Sequence, residues 1–216
     1  MRYGVIGHSG RMGSEIIKAF QGHELTLTID AEKEWKDKAP DVIIDFSSPA
    51  ATARTMDICR ENESALVIGT TALSSKQLQE LRELGHSVPV VQSFNFSTGI
   101  NILKIILRES GYMLSDWEMT MSETHHSKKK DAPSGTAILL EEASGRECEI
   151  ASLRMGGVPG DHEVYFANEG EVLKFSHRAL SRGVFALGAL KAAEFAVTKD
   201  QGFYTFEEVI QCAQRK

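Results

Sequence analysis

The stretch that decides the fold of this chain is Tyr3-Gly4-Val5-Ile6-Gly7-His8-Ser9-Gly10-Arg11-Met12-Gly13, which leads into a segment of helical periodicity from Glu15 to Phe20. An apolar strand, a glycine-rich turn and a helix in this order form a phosphate-binding unit of dinucleotide-binding folds. The spacing is GxxGxxG rather than GxGxxG, and His8 takes the place of the first glycine of the usual motif. The turn therefore needs support from the segments that follow it.

Asp30 provides that support, because it ends a second predicted strand from Leu25 onwards and lies about 20 residues beyond Gly10. An acid at this place can accept a hydrogen bond from a ribose hydroxyl and repel a 2′-phosphate. The competing interpretation is an ordinary aspartate at a strand end. Lys33 would soften the discrimination, so the expected cofactor is NADH, NADPH or both.

Three more buried strands are predicted at residues 41–46, 65–68 and 88–91, with helices between them. Continuous apolar runs are typical of parallel strands covered on both faces, so we expect a Rossmann-like, doubly wound parallel sheet. The connection from Asp30 to Asp41 is too short for a crossover helix and is predicted to be a turn. Ligands bind at the carboxyl ends of such strands. The predicted cofactor-binding residues are therefore Gly7, His8, Ser9, Gly10, Arg11, Met12, Asp30, Gly69, Thr70, Thr71, Ser93, Phe94, Asn95 and Phe96, although Thr70 and Thr71 also fit plain turn roles.

A second informative stretch is Glu123-Thr124-His125-His126-Ser127-Lys128-Lys129-Lys130-Asp131-Ala132-Pro133-Ser134-Gly135-Thr136, which follows a predicted strand from Glu118 to Thr124. Adjacent histidines point to opposite sides of an extended chain, so they are poor ligands for one metal ion. Imidazole and ammonium groups suit proton transfer and charge neutralisation. Ser134 or Thr136 is predicted to cap a following helix, whose free amides would bind a carboxylate or phosphate. Read alone, the His-His-Lys part of the stretch fits a solvated basic loop, and the part from Asp131 to Thr136 fits an ordinary capped helix. Read together, the two parts favour an anion site beside a proton donor.

The composition bounds the class of protein. The chain has 216 residues, 42% of them apolar and 25% charged, as in ordinary globular proteins. The net charge of −6 argues against nucleic-acid binding. No apolar run approaches the roughly 20 residues of a membrane span, and the first residues do not look like a secretion signal. Cys59, Cys148 and Cys212 lack metal-binding spacing, so we expect reduced thiols, no metal and a cytoplasmic location.

The second half has a different pattern. A helix is predicted from Ile100 to Tyr112, strands at 150–154, 163–167 and 172–177, and helices at 181–198 and 204–212. We expect a smaller α+β domain with an open mixed sheet over residues 98–182, for substrate binding and oligomerisation. Residues 1–97 and 183–216 would form the dinucleotide-binding domain. His162 and His177 lie in strand patterns and are expected to be structural.

These motifs resemble the 4-hydroxy-tetrahydrodipicolinate reductase (dihydrodipicolinate reductase) family of lysine and diaminopimelate biosynthesis. The resemblance spans the whole chain in order, and the chain is shorter than most members, in connections after Asp30 and after Leu140. It is carried by Gly7-x-x-Gly10-Arg11-Met12-Gly13, Gly69-Thr70-Thr71, Asn95-Phe96-Ser97-x-Gly99, Glu123-x-His125-His126-x-x-Lys129-x-Asp131-Ala132-Pro133-Ser134-Gly135-Thr136 and Ser181-Arg182…Phe185-Ala186-x-Gly188-Ala189.

The resemblance implies an NAD(P)H-dependent oxidoreductase that reduces a small cyclic dicarboxylate, 4-hydroxy-tetrahydrodipicolinate, to tetrahydrodipicolinate. It implies that His125 is the acid/base group and Lys129 the proton donor. His126 would contact the substrate, and Gly135 and Thr136 would hold a carboxylate. The resemblance also implies a homotetramer assembled through the second-domain sheets, with hinge closure between the domains.

Some roles and two other functions stay open. Lys128 and Lys130 are assigned only supporting charge, and Arg182 fits a carboxylate ligand or a packing role equally well. A semialdehyde dehydrogenase would share the first half of the chain but would want a nucleophilic cysteine near the cofactor. A non-catalytic dinucleotide sensor would not need His125 and Lys129.

Overall fold

The computed structural model describes residues 1–31 and 33–213, and the chain divides into two compact units. The first unit contains residues 1–96 and 185–216, and the second contains residues 97–184. Within the described residues, no helix has the length and apolar character needed to cross a membrane.

The first unit is an α/β layer structure around a seven-stranded sheet of order β11-β6-β5-β4-β1-β2-β3. Its strands are β1 (Arg2–Ile6), β2 (Glu24–Ile29), β3 (Glu34–Lys36), β4 (Val42–Asp45), β5 (Ala65–Ile68), β6 (Pro89–Gln92) and β11 (Gly202–Thr205). Its helices are α1 (Arg11–Ala19), α2 (Thr52–Asn62, preceded by a 3-10 turn at Pro49–Ala51), α3 (Ser75–Leu84), α6 (Gly183–Ala196) and α7 (Phe206–Ala213). All pairings are parallel except that between β2 and β3. The predicted Rossmann-like parallel sheet is confirmed.

Both faces of this sheet carry an apolar core, which explains the continuous apolar strands. One core joins Val5, Ile44 and Val91 to helix α1 and to the alanine-rich face of α6. The other joins Ile43, Leu66 and neighbouring side chains to helices α2 and α3. The strands are therefore held rigidly, and their carboxyl ends lie along one edge of the sheet.

Two predictions were wrong because each of the segments contains a strand. The connection from Asp30 to Asp41 contains the short strand β3, whose antiparallel pairing closes the β2 edge with exposed and mostly charged residues. The predicted last helix began at Tyr204, but Tyr204 pairs with β6 in strand β11. Helix α7 begins later because Thr205 and Glu208 cap it: the Glu208 amide donates to the Thr205 hydroxyl over 3.3 Å, and the Thr205 amide donates to the Glu208 carboxylate over 2.7 Å.

The second unit has a four-stranded mixed sheet of order β10-β9-β7-β8. Its elements are α4 (Thr98–Met113), β7 (Glu118–His125), α5 (Gly135–Ser144), β8 (Glu149–Arg154), β9 (Asp161–Ala167) and β10 (Val172–Arg178). Strands β7 and β8 are parallel, and the other pairs are antiparallel. The predicted open mixed sheet is confirmed.

Helices α4 and α5 cover one face of this sheet, and alternation along the strands sorts the side chains between the faces. Met121, Val164 and Phe166 point into the covered core, with Leu107 of α4 and Leu140 of α5. Glu123 and His125 continue the same row of β7 towards its carboxyl end and are also buried. The charged end of strand β7 is therefore built into the covered side of the sheet.

Candidate functional site

The glycine turn after β1 has the backbone geometry of an anion-binding loop. Gly7 has a φ of +77°, which a side chain would disfavour. A Cβ on Gly13 would meet the main-chain oxygens of Gly7 and His8, so only glycine lets α1 pack this closely against the turn. Helix α1 starts at Gly10 without a side-chain cap, which leaves its first amides available to an anion.

A cavity of about 620 Å³ opens beside this turn. It is lined by Gly7, His8, Ser9, Gly10, Asp30, Ala31, Lys33, Phe46 and Ser47. The Asp30 carboxylate accepts a hydrogen bond from the Ser9 amide over 3.2 Å. His8 Nδ1 lies 2.9 Å from Asp30 Oδ2, at ion-pair distance but without hydrogen-bond alignment. The turn and the acid at the end of β2 therefore form one pocket.

The other predicted cofactor residues lie elsewhere on the strand-end edge. Arg11 and Met12 form the first turn of α1, while Gly69, Thr70 and Thr71 follow β5. Gly69 is required there because a Cβ would strike the Phe46 ring. The Thr70 hydroxyl is buried and donates to the Asp45 carboxylate over 3.0 Å, which holds the loops after β4 and β5 together. Any contact of Thr70 with a cofactor must therefore come from its main chain.

The segment after β6 has the same mixture of surface and core. Ser93 bonds to the Asn95 carbonyl over 2.8 Å, and the Phe94 side chain is exposed. The Phe96 ring is 1% exposed and packs between Phe46 and Phe206. Ser93, Phe94 and Asn95 line the strand-end edge, whereas the Phe96 side chain belongs to the core.

The pocket suits a dinucleotide. Open amides at a helix start can bind a pyrophosphate, and an acid that follows β2 can accept a hydrogen bond from a ribose hydroxyl. The residues of this chain that would hold such a cofactor are the Gly7–Gly10 turn and Asp30. Sequence reasoning missed Ala31 as part of the lining, because its role depends only on the path of the chain after β2.

In the second unit, His125 ends strand β7 and is held by Glu123. His125 Nδ1 lies 2.5 Å from Glu123 Oε2, and both side chains are almost completely buried. Burial alone would raise the pKa of Glu123, but hydrogen bonds from Arg154 and His125 outweigh it and lower that pKa to about 2. Glu123 is therefore ionised at neutral pH and can only accept hydrogen bonds.

Arg154 forms a bidentate ion pair with Glu123. Its Nη1 donates to Oε2 over 2.9 Å and its Nη2 to Oε1 over 2.7 Å. Nη2 also donates to the main-chain oxygen of Asp131 over 2.6 Å, and the Ser134 amide donates to Glu123 Oε1 over 3.2 Å. The carboxylate therefore joins strands β7 and β8 to the loop before α5.

The surroundings of His125 keep its imidazole neutral. Burial lowers the pKa of His125, the positive charges of Lys129 and Arg154 add to the effect, and Glu123 opposes it. The His162 ring lies edge-on to the His125 ring at 5.1 Å, and burial lowers the pKa of His162 to about 4. Gly160 faces Nε2, since a Cβ there would lie 3.2 Å from that atom.

The loop between β7 and α5 carries the predicted cations. Lys129 Nζ lies 2.7 Å from Asp131 Oδ2. Burial opposes the effect of this pairing, but the Lys129 contact keeps the pKa of Asp131 below its ordinary value. His126 is half-buried just after the strand, and Lys128 and Lys130 are exposed. His125 and Lys129 are thus close enough to interact, while the flanking lysines face solvent.

Helix α5 begins as the sequence predicted. Ser134 is the N-cap, and its hydroxyl accepts a hydrogen bond from the Ala137 amide over 3.1 Å. Gly135 is exposed, and a Cβ there would meet no atom within 4 Å. Gly135 and Thr136 form the first turn of α5 next to the His125 cluster, and the Gly135 amide faces the Asp131 carboxylate of the same loop.

Sequence reasoning missed Arg154 and did not give Glu123 a role. Glu123 was recognisable, because residues two apart on a strand share a face and the acid stands two residues before His125. Arg154 became visible only through the parallel register of β7 and β8, which places it opposite His125.

Comparison with known proteins agrees with this geometry. The model of the family "Dihydrodipicolinate reductase, N-terminus" matches residues 24–96, and that of "Dihydrodipicolinate reductase, C-terminus" matches residues 99–210. A 4-hydroxy-tetrahydrodipicolinate reductase of Thermosipho africanus is 54% identical over 98% of both chains. One from Clostridium novyi is 35% identical over 96% of both chains.

A solved structure shows the same fold. The dipicolinate-bound dihydrodipicolinate reductase of Paenisporosarcina sp. TG-14 superposes with a TM-score of 0.79 at 20% identity, covering 96% of this chain and 98% of that one. The sequence matches, which extend over both units, show more than the fold. The chain belongs to the 4-hydroxy-tetrahydrodipicolinate reductase family, the NAD(P)H-dependent oxidoreductases that reduce 4-hydroxy-tetrahydrodipicolinate to tetrahydrodipicolinate in lysine and diaminopimelate biosynthesis.

Proposed function

We propose that His125 and Lys129 manage the proton that this reduction requires. The observation that carries the proposal is the buried pairing of His125 Nδ1 with Glu123, next to a loop that holds an ammonium group close enough to affect the imidazole. A nicotinamide dinucleotide in the turn after β1 supplies the hydride. The ring that accepts the hydride must also gain one proton from the protein.

Lys129 is the proposed source of that proton. Since burial lowers the pKa of His125, the imidazole is neutral near pH 7 and the nearby ammonium carries the transferable proton. Asp131 holds Lys129 by an ion pair of 2.7 Å, which restricts where the ammonium can reach. His125 then acts as the acid/base group through Nε2, the nitrogen that does not face Glu123.

The start of helix α5 is the proposed carboxylate site. Gly135 and Thr136 lie at the positive end of the helix dipole, and the exposed Gly135 allows close approach. The Gly135 amide already faces the carboxylate of Asp131, which supports a carboxylate-binding role for this helix start. His126 is proposed to contact the same ligand, and Arg182 remains a candidate for its second carboxylate. The dipicolinate bound to the Paenisporosarcina relative is a planar dicarboxylate of the expected class.

Asp30 is proposed to set the choice between NADH and NADPH. Its carboxylate is fixed by the Ser9 amide and lines the pocket, where it favours a free ribose hydroxyl. Lys33 lines the same pocket and provides an opposite charge for a 2′-phosphate. We therefore expect both cofactors to work, with a discrimination that depends on Asp30.

We also propose which part of the chain binds the cofactor, which part binds the substrate, and how the protein forms oligomers. Residues 1–97 and 183–216 bind the cofactor, and residues 98–182 bind the dicarboxylate and oligomerise. The sheet of the second unit has helices on one face only, and its other face exposes Leu153 and Val172 beside charged pairs. Such a face supports a homotetramer joined through these sheets. The protein would act in the cytoplasm.

The test of the proposed function follows NADH absorbance on mixing the protein with freshly made product of dihydrodipicolinate synthase. His125→Gln and Lys129→Ala should each lower kcat by 10²-fold or more, by the usual size of general acid–base effects. Lys128→Ala is the matched control, because it removes a lysine of the same loop that faces solvent. Full activity of His125→Gln would refute the assignment. Sedimentation analysis tests the tetramer.

A further inference from the structure

We infer that Glu123 is a positioning residue for the reduction: with Arg154 it orients the His125 imidazole so that Nδ1 donates and Nε2 is the atom left for proton transfer. This inference rests on the acid/base role proposed for His125. It assigns a function to the buried ion pair of Glu123 and Arg154, which the proposed proton transfer does not itself use.

The geometry leaves one role for each nitrogen of His125. The Glu123 carboxylate is ionised and has no proton to give, so at 2.5 Å the proton must belong to His125 Nδ1. A neutral imidazole with its proton on Nδ1 has a free lone pair on Nε2. Nε2 points towards Gly160, where an added Cβ would lie 3.2 Å from this nitrogen. The tautomer and the direction of the reacting atom are therefore set by the same contact.

Arg154 is the reason that Glu123 can stay ionised in a buried place. The side chain of Glu123 is 0% exposed, and an unpaired charge there would be strongly disfavoured. Arg154 Nη2 and the Ser134 amide donate to Oε1, and Arg154 Nη1 donates to Oε2, the oxygen that also faces His125. The carboxylate can then present Oε2 to the imidazole in one fixed orientation.

The same group ties the imidazole to the loop that carries Lys129. Arg154 donates to the Asp131 carbonyl, and Glu123 accepts from the Ser134 amide. Both ends of the segment 131–134 are therefore bound to the Glu123–Arg154 ion pair. Asp131 in turn pairs with Lys129. Glu123 therefore fixes the positions of His125, the loop that carries Lys129 and the start of α5 relative to one another.

His162 does not replace Glu123 in this role. Its Nε2 lies 3.4 Å from the Ser134 hydroxyl, and its contact with His125 is edge-on between rings. Its Nδ1 is buried without a hydrogen-bond partner. Among the described side chains around His125, Glu123 is the acceptor that faces Nδ1.

The test combines kinetics with the tautomer of His125. Protein carrying ¹⁵N-labelled histidine is observed by long-range ¹H–¹⁵N correlation near pH 7.5, and the His125→Gln spectrum assigns the signals. The expected wild-type pattern is a protonated Nδ1 and an unprotonated Nε2. Glu123→Gln should lose this single pattern, lower kcat about 10²-fold and change KM by less than about threefold, since the substrate contacts remain.

The pH profile separates positioning from a merely structural role. Glu123 raises the pKa of His125 against the lowering by burial, so its loss should move the acidic limb of the kcat profile to lower pH. Glu141→Gln is the matched control, since Glu141 is a half-buried carboxylate in the same unit that accepts from the Cys148 amide over 3.0 Å. It should leave tautomer, kcat and pH profile unchanged. If Glu123→Gln does not fold, Arg154→Lys is measured instead; it should loosen the single tautomer and lower kcat by a smaller factor, without the shift of the acidic limb, because lysine keeps the positive charge.

The outcomes distinguish this inference from the proposed function. A wild-type His125 with its proton on Nε2, or a Glu123→Gln enzyme with wild-type kcat and pH profile, overturns the inference while His125 remains essential. A His125→Gln enzyme with full activity overturns the proposed function itself. Loss of kcat together with loss of the single tautomer, at unchanged NADH affinity, supports both.

Discussion

Replacing His162 by phenylalanine should make the protein less sensitive to acid. His162 is 4% exposed, and burial, followed by repulsion from His125 once that imidazole is protonated in acid, lowers the pKa of His162 from its ordinary 6.5 to about 4. As the pH falls below 6.5, the unfolded chain binds a proton at this residue first, and the folded protein binds it only near pH 4. The contribution of His162 to stability is therefore lost progressively between these two values as the solution is acidified.

The size of the effect follows from the difference between the two pKa values. Each pH unit of difference is equivalent to about 1.4 kcal/mol, so a drop from 6.5 to about 4 corresponds to about 3 kcal/mol. The free energy of unfolding of the wild type should fall with acidification by up to about 1.4 kcal/mol per pH unit more than that of His162→Phe. Phenylalanine keeps the ring shape, so a packing cost would shift both ends of the curve equally.

Urea unfolding at fixed protomer concentration, repeated from about pH 7.5 to about pH 4, measures this difference. The pKa values of His125 and His177 are also lowered by burial and remain so in the variant, so its curve keeps a residual slope. His86→Gln removes an exposed histidine and should follow the wild-type curve. Parallel curves for wild type and His162→Phe would refute the reasoning, because His162 would then titrate alike in the folded and unfolded chain.

Further predictions concern the cofactor turn and the reacting nitrogen. Asp30→Ala should raise the ratio of NADPH affinity to NADH affinity by about tenfold, because it removes a negative charge that would repel the 2′-phosphate of NADPH. Fluorescence titration with each dinucleotide measures this ratio, and an unchanged ratio would show that Asp30 does not face the ribose. Gly160→Ala places a Cβ 3.2 Å from His125 Nε2 and should reduce kcat at unchanged NADH affinity, whereas Gly157→Ala meets no atom within 4 Å and should not. Gly13→Ala drives a Cβ into main-chain oxygens, so it should lower both thermal stability and NADH affinity, and calorimetry showing an unchanged midpoint would contradict the close packing of α1.

Much of the fold could be predicted because its information is local. The strand at Tyr3–Ile6 and the helix start at Ser134 or Thr136 were predicted from neighbouring residues alone, and the structure selects Ser134 as the N-cap. Strands β3 and β11 were missed because a short strand is defined by its partner: Trp35 pairs with Thr28, and Tyr204 with Val91. Propensity does not reveal such pairings, since β3 is fully exposed and the half-buried β11 is too short to show an alternating apolar pattern.

The site divides in the same way. The proximity of His125 and Lys129 was expected, because both lie on one short segment. The buried state of Thr70 and Phe96 was not expected, because it depends on Asp45 and Phe206 from distant parts of the chain. Position at a strand end predicts that a residue is near the ligand edge, but tertiary packing decides whether its side chain or only its main chain is available there.

Glu123 shows where local pattern and long-range structure must be combined. Alternation along β7 places its side chain on the same face as that of His125, and this much follows from a spacing of two residues. An acid in that position can be a protonated donor or an ionised acceptor, and the two states would set opposite tautomers of the imidazole. Arg154 weighs most among the contacts that decide between them, which lower the pKa of Glu123 to about 2 against the effect of burial. Because Arg154 arrives through the register of a parallel strand, the proton position at His125 is a property of the folded sheet and not of the motif that surrounds it.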